Sequence, residues 1–466
     1  MKKGDILTNI FVEKLIFSGK GLAKTDDGKK IIINGGVIPE STVSVRVLKN
    51  RSNHIEAQVL DVEKKSPLEE ELPAHFQVYG GCKWLPIKYE KQLEIKETQI
   101  RESFNALKDK LQNTTFHPIV ASPDIYGYRN KVEFSFGKYI SGKEGIHKDF
   151  TFGFHKQGEF SKIIDCSYCA LADEETNKIF REIDTFARNS GLPTYDQMRQ
   201  EGFWRHLVVR KTKAKNEIML IWSINDEYEK FDKTEENKII EFNKKLAADF
   251  PNLKSAYILY NHSKADIVDG EFIHIFGNPS IEETLFDFTF EIQPKSFFQT
   301  NSLGAELLYK NAIDLIDGEG DVALDLYAGT GTIGIIISHK FNKIYSVELV
   351  AQSSEDGAKN ALKNGVKNIE FINAKTEDFL AKFIKDGGKA DCLIIDPPRS
   401  GMHPNATRDI LAFHAKQIIY ISCEPSTLAR DIDYMLRNSD YEVTDIIPVD
   451  MFPHTHHIET IVKLIR

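Results

Sequence analysis

The sequence predicts an α/β protein in three parts: a small OB-like β-barrel, a mixed α+β middle region and a Rossmann-like parallel α/β domain at the C-terminal end. Three observations carry this. Short strand-like runs separated by glycine and aspartate turns fill residues 1–62, an acidic, proline-containing run (EKKSPLEEELP, 63–73) follows them, and beyond residue 290 strand-like runs alternate with helical stretches.

In the first part the runs are IFVEKLIF, LAKT, KIIING, TVSVRVLKN and HIEAQVLDV, with turns at Ser18-Gly19-Lys20-Gly21 and Asp26-Asp27-Gly28. Strands this short and this closely spaced suit a small barrel closed on itself, expected over residues 1–62. Residues 63–73 read as a linker. The middle part, expected over 75–290, combines a helix at 89–107, with apolar positions at helical spacing, and short alternating runs such as KVEFSFGKYI, FTFGFHK, HLVVRKTK, EIMLIWSI and SAYILYN. Alternation of this kind predicts an antiparallel sheet carrying a few helices. The last part, 291–466, reads DVALDLYA, a Gly-rich turn, KIYSVELV, a helix, NIEFINA, a helix, DCLIIDPPRSG, a helix, QIIYISC and a further helix. Strands and helices in alternation build a parallel sheet with ligand sites at the strand C-termini. The last two strands, YEVTDIIPVD and IETIVKLI, are expected as an edge hairpin with one antiparallel member.

Composition excludes several classes. With 466 residues, 41% hydrophobic and 28% charged, the chain is neither disordered nor collagenous. It has no apolar run near the roughly 18 residues of a membrane span, and its start lacks a long apolar stretch, so a cytoplasmic protein without membrane contact is expected. Five cysteines (Cys82, Cys166, Cys169, Cys392, Cys423) are too few for a disulfide framework. The net charge of −9 argues against a nucleic-acid partner, but it is uneven: residues 1–170 carry +4, leaving −13 for the rest.

Four segments of the last part carry chemistry. Gly329-Thr330-Gly331-Thr332-Ile333-Gly334 follows a strand and opens a helix, and Glu348 ends the next strand, where an acid can accept ribose hydroxyls. NAD(P) sites, S-adenosylmethionine (SAM) sites and a plain tight turn all use this pattern. Asp396-Pro397-Pro398-Arg399-Ser400-Gly401 makes a stiff loop at a strand end. Cys423 sits at a strand end before a helix, where the helix dipole favours a thiolate, although an isolated cysteine is more often a small buried hydrophobe. His454, His456 and His457 fit no metal-ligand spacing, and no metal is expected there. Glu459, opening an apolar strand, is an acid whose burial would suit it as a general base.

DLYAGTGTIG, DPPRSG, SCEPSTLARD and DMFPHTHHIE, in that order after QPKSFFQTN (293–301), resemble the SAM-dependent RNA uracil-5-methyltransferases, specifically the 23S rRNA branch. The resemblance spans nearly the whole chain, with a barrel similar to the TRAM domain and with YRNK (128–131) and RHLVVR (205–210) similar to the family's central domain. It implies a Rossmann-like SAM-dependent methyltransferase domain, an RNA partner (23S rRNA), a monomer, and methylation of uridine C5. It also implies Cys423 as nucleophile, Glu459 as proton acceptor, and SAM contacts at Gln299, Tyr327, Gly329, Gly331, Thr332, Glu348 and Asp396. Thr332 stands where some members have Asn. Residues 374–377 depart from the family pattern at the third strand end, so no adenine contact is assigned. A tRNA uracil-5-methyltransferase or a non-catalytic RNA-binding relative are the alternatives.

The chemistry agrees with these residue types. A thiolate adding to uracil C6 makes C5 nucleophilic, and a base must then remove the C5 proton; a dehydrogenase has no joint task for Cys423 and Glu459. The uridine must be extruded from a helix or lie in a loop. Many members of the rRNA branch hold a four-iron cluster on four cysteines. Here Pro73 and Tyr79 stand at two ligand positions, only Cys82 and Cys169 match, Cys166 is a third thiol, and no iron–sulfur cluster is expected. Cys166-x-x-Cys169 with Cys82 and His75 remains a zinc-like alternative.

Overall fold

The computed structural model describes all residues except 142–144, 157–158 and 230, together with the side chain of residue 160. Strands β1 (Ile6–Phe11), β2 (Lys14–Ile16), β3 (Lys20–Lys24), β4 (Lys30–Asn34), β5 (Thr42–Asn50) and β6 (His54–Lys64) form one sheet in the order β1-β5-β6-β4-β3-β2. Alternation does the work the sequence suggested: Val43, Val45 and Val47 of β5 point into a core shared with Ile31, Ile33, Ile55 and Ala57, giving a barrel-like unit. Trp84 and Ile87, from beyond the linker, complete that core.

Helix α1 (Tyr89–Ser103) belongs elsewhere than its position in the chain suggests. Its buried stripe is Gln92, Lys96, Gln99 and Ile100, mostly polar rather than apolar, and Ile100 and Phe104 pack into the core of the third sheet. Strand β7 (Thr115–Phe116) also joins that sheet. The segment expected to open the middle part is therefore divided between units.

The second sheet comprises β8 (Lys131–Ser141), β9 (Ile146–Lys156), β10 (Glu159–Asp165), β11 (Trp204–Lys211), β12 (Ile218–Ile224), β13 (Leu253–Tyr260) and β14 (Glu271–Gly277), ordered β10-β9-β8-β11-β12-β13-β14. All pairs are antiparallel except β12 and β13, whose parallel pairing is bridged by helix α3 (Lys233–Asp249). Leu207, Val209, Leu220 and Trp222 face α2 (Glu174–Asn189) and α3, while Val208, Met219 and Ile221 on the opposite face enter the core of the third unit. A hairpin of β15 (Ile281–Leu285) and β16 (Phe288–Ile292) links the two.

The third sheet contains β17 (Gly320–Leu326), β18 (Phe341–Glu348), β19 (Ile369–Asn373), β20 (Cys392–Ile395), β21 (Gln417–Ser422), β22 (Glu442–Val449) and β23 (Glu459–Ile465), ordered β19-β18-β17-β20-β21-β23-β22-β7. The first five are parallel, and β23 runs antiparallel between β21 and β22. The final pair is thus not the edge, because β7 covers β22. Helices α4 (Ser302–Asp314), α5 (Thr332–Ile336), α6 (Ala351–Lys363), α7 (Thr376–Lys385), α8 (Pro404–Ala412) and α9 (Pro425–Asn438) complete the Rossmann-like unit. The chain reverses direction across the sheet between β17 and β20, which leaves a crevice above their C-terminal ends. No helix among the described residues is long and apolar enough to cross a membrane.

Candidate active site

Strand register brings the site together. Leu326 pairs with Ile395, Ile395 with Tyr420, and Ser422 with Thr460. The residues one step further along, Tyr327, Asp396 and Cys423, therefore leave the sheet at the same end, and Glu459 lies across the antiparallel pair from Cys423. Only the reversed direction of β23 permits this, since a parallel strand would deliver its C-terminal end there instead.

The turn after β17 divides its glycines by task. Gly329 is left-handed (φ +56°) with open space where a Cβ would sit, so its backbone is free to meet a ligand. Gly331 is left-handed too, but a Cβ there would fall 2.3 Å from the Phe371 ring, and one at Gly334 would fall 2.8 Å from Asp325 Oδ2. These two serve packing. Glu348 accepts hydrogen bonds from the backbone N–H groups of Gly329 (2.9 Å) and Val350 (2.7 Å), which aims its carboxylate at the turn while leaving lone pairs for hydroxyls. Thr332 is buried with its hydroxyl 3.2 Å from that of Thr330. Tyr327 is left-handed (φ 60°), and burial pushes its hydroxyl up, with the His403 backbone and Thr376 opposing. Buried Tyr309 has its hydroxyl pushed up by burial and by Asp396 and Glu459, with Gln299 as an opposing hydrogen-bond partner, so Gln299 belongs to the same cluster. An open glycine beside an oriented carboxylate has the chemistry that a close backbone contact and a ribose require, so the turn fits SAM.

The reacting end is acidic. Burial pushes Asp396 up to about 7. Burial, reinforced by Asp396, raises Glu459 well above the usual carboxylate range, and Arg399 opposes the shift. The Cys423 thiol is pushed up to about 11 by burial and by the Glu459 and Asp396 carboxylates, again with Arg399 opposing. Desolvation and the two carboxylates act against the thiolate that α9's N-terminus favours. Arg399 was not singled out in the sequence. Its signal was a lone cation in DPPRSG, and it donates from Nη2 to His457 Nδ1 at 3.2 Å. Asp325, also not singled out, is buried under the turn, accepting from Gly334 N–H (3.1 Å) and Ser346 Oγ (2.9 Å), and burial pushes it up to about 7.

The loop carrying Glu459 is clamped from α1. Lys96 Nζ donates to Asp450 Oδ1 (2.7 Å) and the Phe452 carbonyl (3.0 Å). Gln92 Oε1 accepts from His454 N–H (2.7 Å), and its Nε2 lies 3.0 Å from His454 Nδ1. The His454 ring stacks on Tyr126 at 4.6 Å. Burial pushes His454 down to about 4; His456 to about 4, with Lys83 contributing; and His457 to about 3, with His456 contributing. All three are neutral near pH 7.

The thiols of the middle part do not fit an iron–sulfur cluster. Tyr79, standing at one ligand position, brings its hydroxyl to 2.8 Å from Cys169 Sγ and stacks its ring on Phe154 at 3.9 Å. Cys82 donates to the Gln77 carbonyl and Cys166 to that of Tyr168, and burial pushes both thiols up to about 12. Among the described residues no group of three His, Cys, Asp or Glu side chains is arranged to hold a metal ion.

Known proteins resemble the chain along its length. The family model for tRNA (uracil-5-)-methyltransferase matches residues 88–466. Uncharacterized RNA methyltransferases are 34% identical in Caldanaerobacter subterraneus subsp. tengcongensis (99% of each chain) and 36% identical in Clostridium acetobutylicum (98% of this chain, 96% of the relative). The solved Pyrococcus abyssi tRNA (uracil-54, C5)-methyltransferase in complex with S-adenosyl-L-homocysteine is 25% identical, with a TM-score of 0.74 over 98% of this chain and 100% of that one.

Proposed function

Because this chain belongs to the tRNA (uracil-5-)-methyltransferase family and is a SAM-dependent RNA methyltransferase, we propose that it methylates C5 of a uridine in 23S rRNA, with Cys423 as nucleophile and Glu459 as base. The observation that carries the reading is the convergence of Cys423, Glu459 and Asp396 at one sheet end, with Cys423 and Glu459 facing across the β21–β23 pair.

SAM, when bound, supplies an electrophilic methyl group. Cys423, after losing its proton to solvent, adds through sulfur to C6 of the extruded uracil, and the C5=C6 electrons move onto the C4 carbonyl. C5 thereby becomes nucleophilic. Once C5 carries the new methyl, Glu459 as carboxylate takes the C5 proton; the released electrons restore C5=C6 and expel the Cys423 thiolate. The same burial that raises Glu459 makes it an avid proton acceptor. Arg399 stabilises the thiolate both before attack and on release.

The target rests on the likeness of the N-terminal barrel and motif set to the rRNA branch. A tRNA target is the second reading, favoured by the full-length similarity to the P. abyssi enzyme. Incubation with SAM and 5-fluorouridine-substituted 23S rRNA or tRNA separates them. A covalent adduct with 23S rRNA that Cys423→Ala abolishes is expected. An adduct with tRNA alone moves the target to tRNA, and no adduct with either RNA removes the catalytic reading. Mapping 5-methyluridine in cells with and without the gene then locates the site.

A further inference from the structure

We propose that the cavity between the second sheet and the third unit is a subsite for a backbone phosphate of the RNA substrate, built on Arg210, Lys131 and Lys295; it rests on the RNA reading above. The cavity holds about 520 Å³ and is lined by these three cations, with Val350 and Gln352 at one wall. It shares no residue with the groups assigned to SAM or to the reacting base.

Arg210 and Lys131 are direct cross-strand partners on β11 and β8, so two like charges stand side by side, an arrangement that destabilises a sheet on its own. Arg210 is only 7% exposed. Its Nη2 donates to the Ser296 carbonyl at 2.7 Å, its Nε is buried without a partner, and burial alone pushes the guanidinium down to about 10. Lys131 is pushed down by burial and by Arg210, with Glu133 opposing. Lys295 lies over the Phe272 ring at 5.0 Å. Among the described residues none of the three forms an ion pair.

The acids around the cavity do not fill the gap. Asp266 is held by His155 (2.9 Å) and His206 (3.3 Å), Asp356 by Ser296 Oγ (2.7 Å) and Gln352 (2.9 Å), Asp269 accepts from Gly270 N–H (2.9 Å), and Glu133 is exposed. A buried cation without a counterion is costly, and one beside a second cation more so. A phosphodiester relieves both: its two free oxygens match a guanidinium edge, and its charge separates Arg210 from Lys131. RNA is the polyanion this reaction brings to the protein, and the cavity adjoins the segment following Glu348, so it lies on the side of the turn between the second sheet and the third unit.

The test is binding of a 23S rRNA transcript to the full-length protein from about 50 to about 200 mM salt. The Lys131→Gln/Lys295→Gln variant should bind about tenfold more weakly at low salt, with the slope of log affinity against log salt shallower by about 0.7 to 0.9 per lost contact, and with S-adenosylhomocysteine affinity unchanged. In a second arm, Arg210→Met should lose the rise in melting temperature that inorganic phosphate gives the wild type. Unchanged RNA affinity and slope in the double variant, or a loss confined to S-adenosylhomocysteine binding, overturn the subsite. A wild type that binds neither rRNA nor tRNA overturns the RNA reading itself, a distinguishable failure.

Discussion

Lys96 Nζ and Asp450 Oδ1 are 2.7 Å apart with both side chains wholly withdrawn from solvent, joining α1 to the loop that carries Glu459. Removing one partner leaves the other charge buried. Lys96→Met should therefore destabilise the protein by about 3 to 5 kcal/mol in urea melts. It should also lower methylation by the surviving folded protein, because the Phe452 carbonyl loses its tie to α1 and keeps only the donors of Thr455 within its own loop. A loss below about 1 kcal/mol would show that the loop holds without the pair.

Burial and the neighbouring carboxylates push the Cys423 thiol up to about 11. In the ligand-free protein its alkylation should climb with pH towards its value of about 11, close to tenfold per pH unit below it, read by mass spectrometry of the labelled peptide. Arg399→Gln removes an opposing cation, so labelling at pH 8 should slow. Faster labelling in that variant contradicts the role given to Arg399.

Asp325 is pushed up to about 7 by burial. For an acid raised on folding, the stability it contributes is complete below the unfolded value near 3.8 and is lost as pH rises through about 7. Asp325→Asn, which keeps an acceptor for Gly334 and Ser346, should gain stability relative to wild type between pH 5 and pH 8 by a few kcal/mol, roughly. Parallel urea midpoints at the two pH values refute this if their difference matches that of wild type.

Glu459→Gln keeps the shape but cannot accept the C5 proton. It should still form the covalent RNA adduct and release methylated product at least about 100-fold more slowly. Normal turnover in that variant removes Glu459 from the base role.

Tyr79→Phe deletes the hydroxyl beside Cys169 and should cost about 1 kcal/mol. Protein purified anaerobically should contain far less than one iron per chain. Iron and sulfide near four each would restore the cluster.

Much of the site was legible because its residues sit at motif ends that the strand pattern already marks: Gly329 and Glu348 after β17 and at the end of β18, Asp396 after β20, Cys423 after β21, Glu459 opening β23. Alternation and turn chemistry are local, so the strands could be read along the chain. Helix α1 shows the limit. Its apolar spacing suggested a helix, and one forms, but the buried stripe is Gln92, Lys96 and Gln99, because the partners they satisfy lie over 350 residues away in the loop 450–458 for Gln92 and Lys96, and at the Leu15 carbonyl for Gln99.

The sequence by itself determined the kind of fold, the order of the motifs and the residue types able to do the chemistry, since these depend on periodicity and on functional groups. Tertiary structure alone decided that β23 inserts between β21 and β22 so that Glu459 lies across from Cys423, that burial and the neighbouring carboxylates push the thiol up, and that Arg210 and Lys131 face each other without a counterion among the described residues. The reason is physical. Desolvation and charge–charge energies depend on distances between groups remote in sequence, and no local pattern encodes those distances.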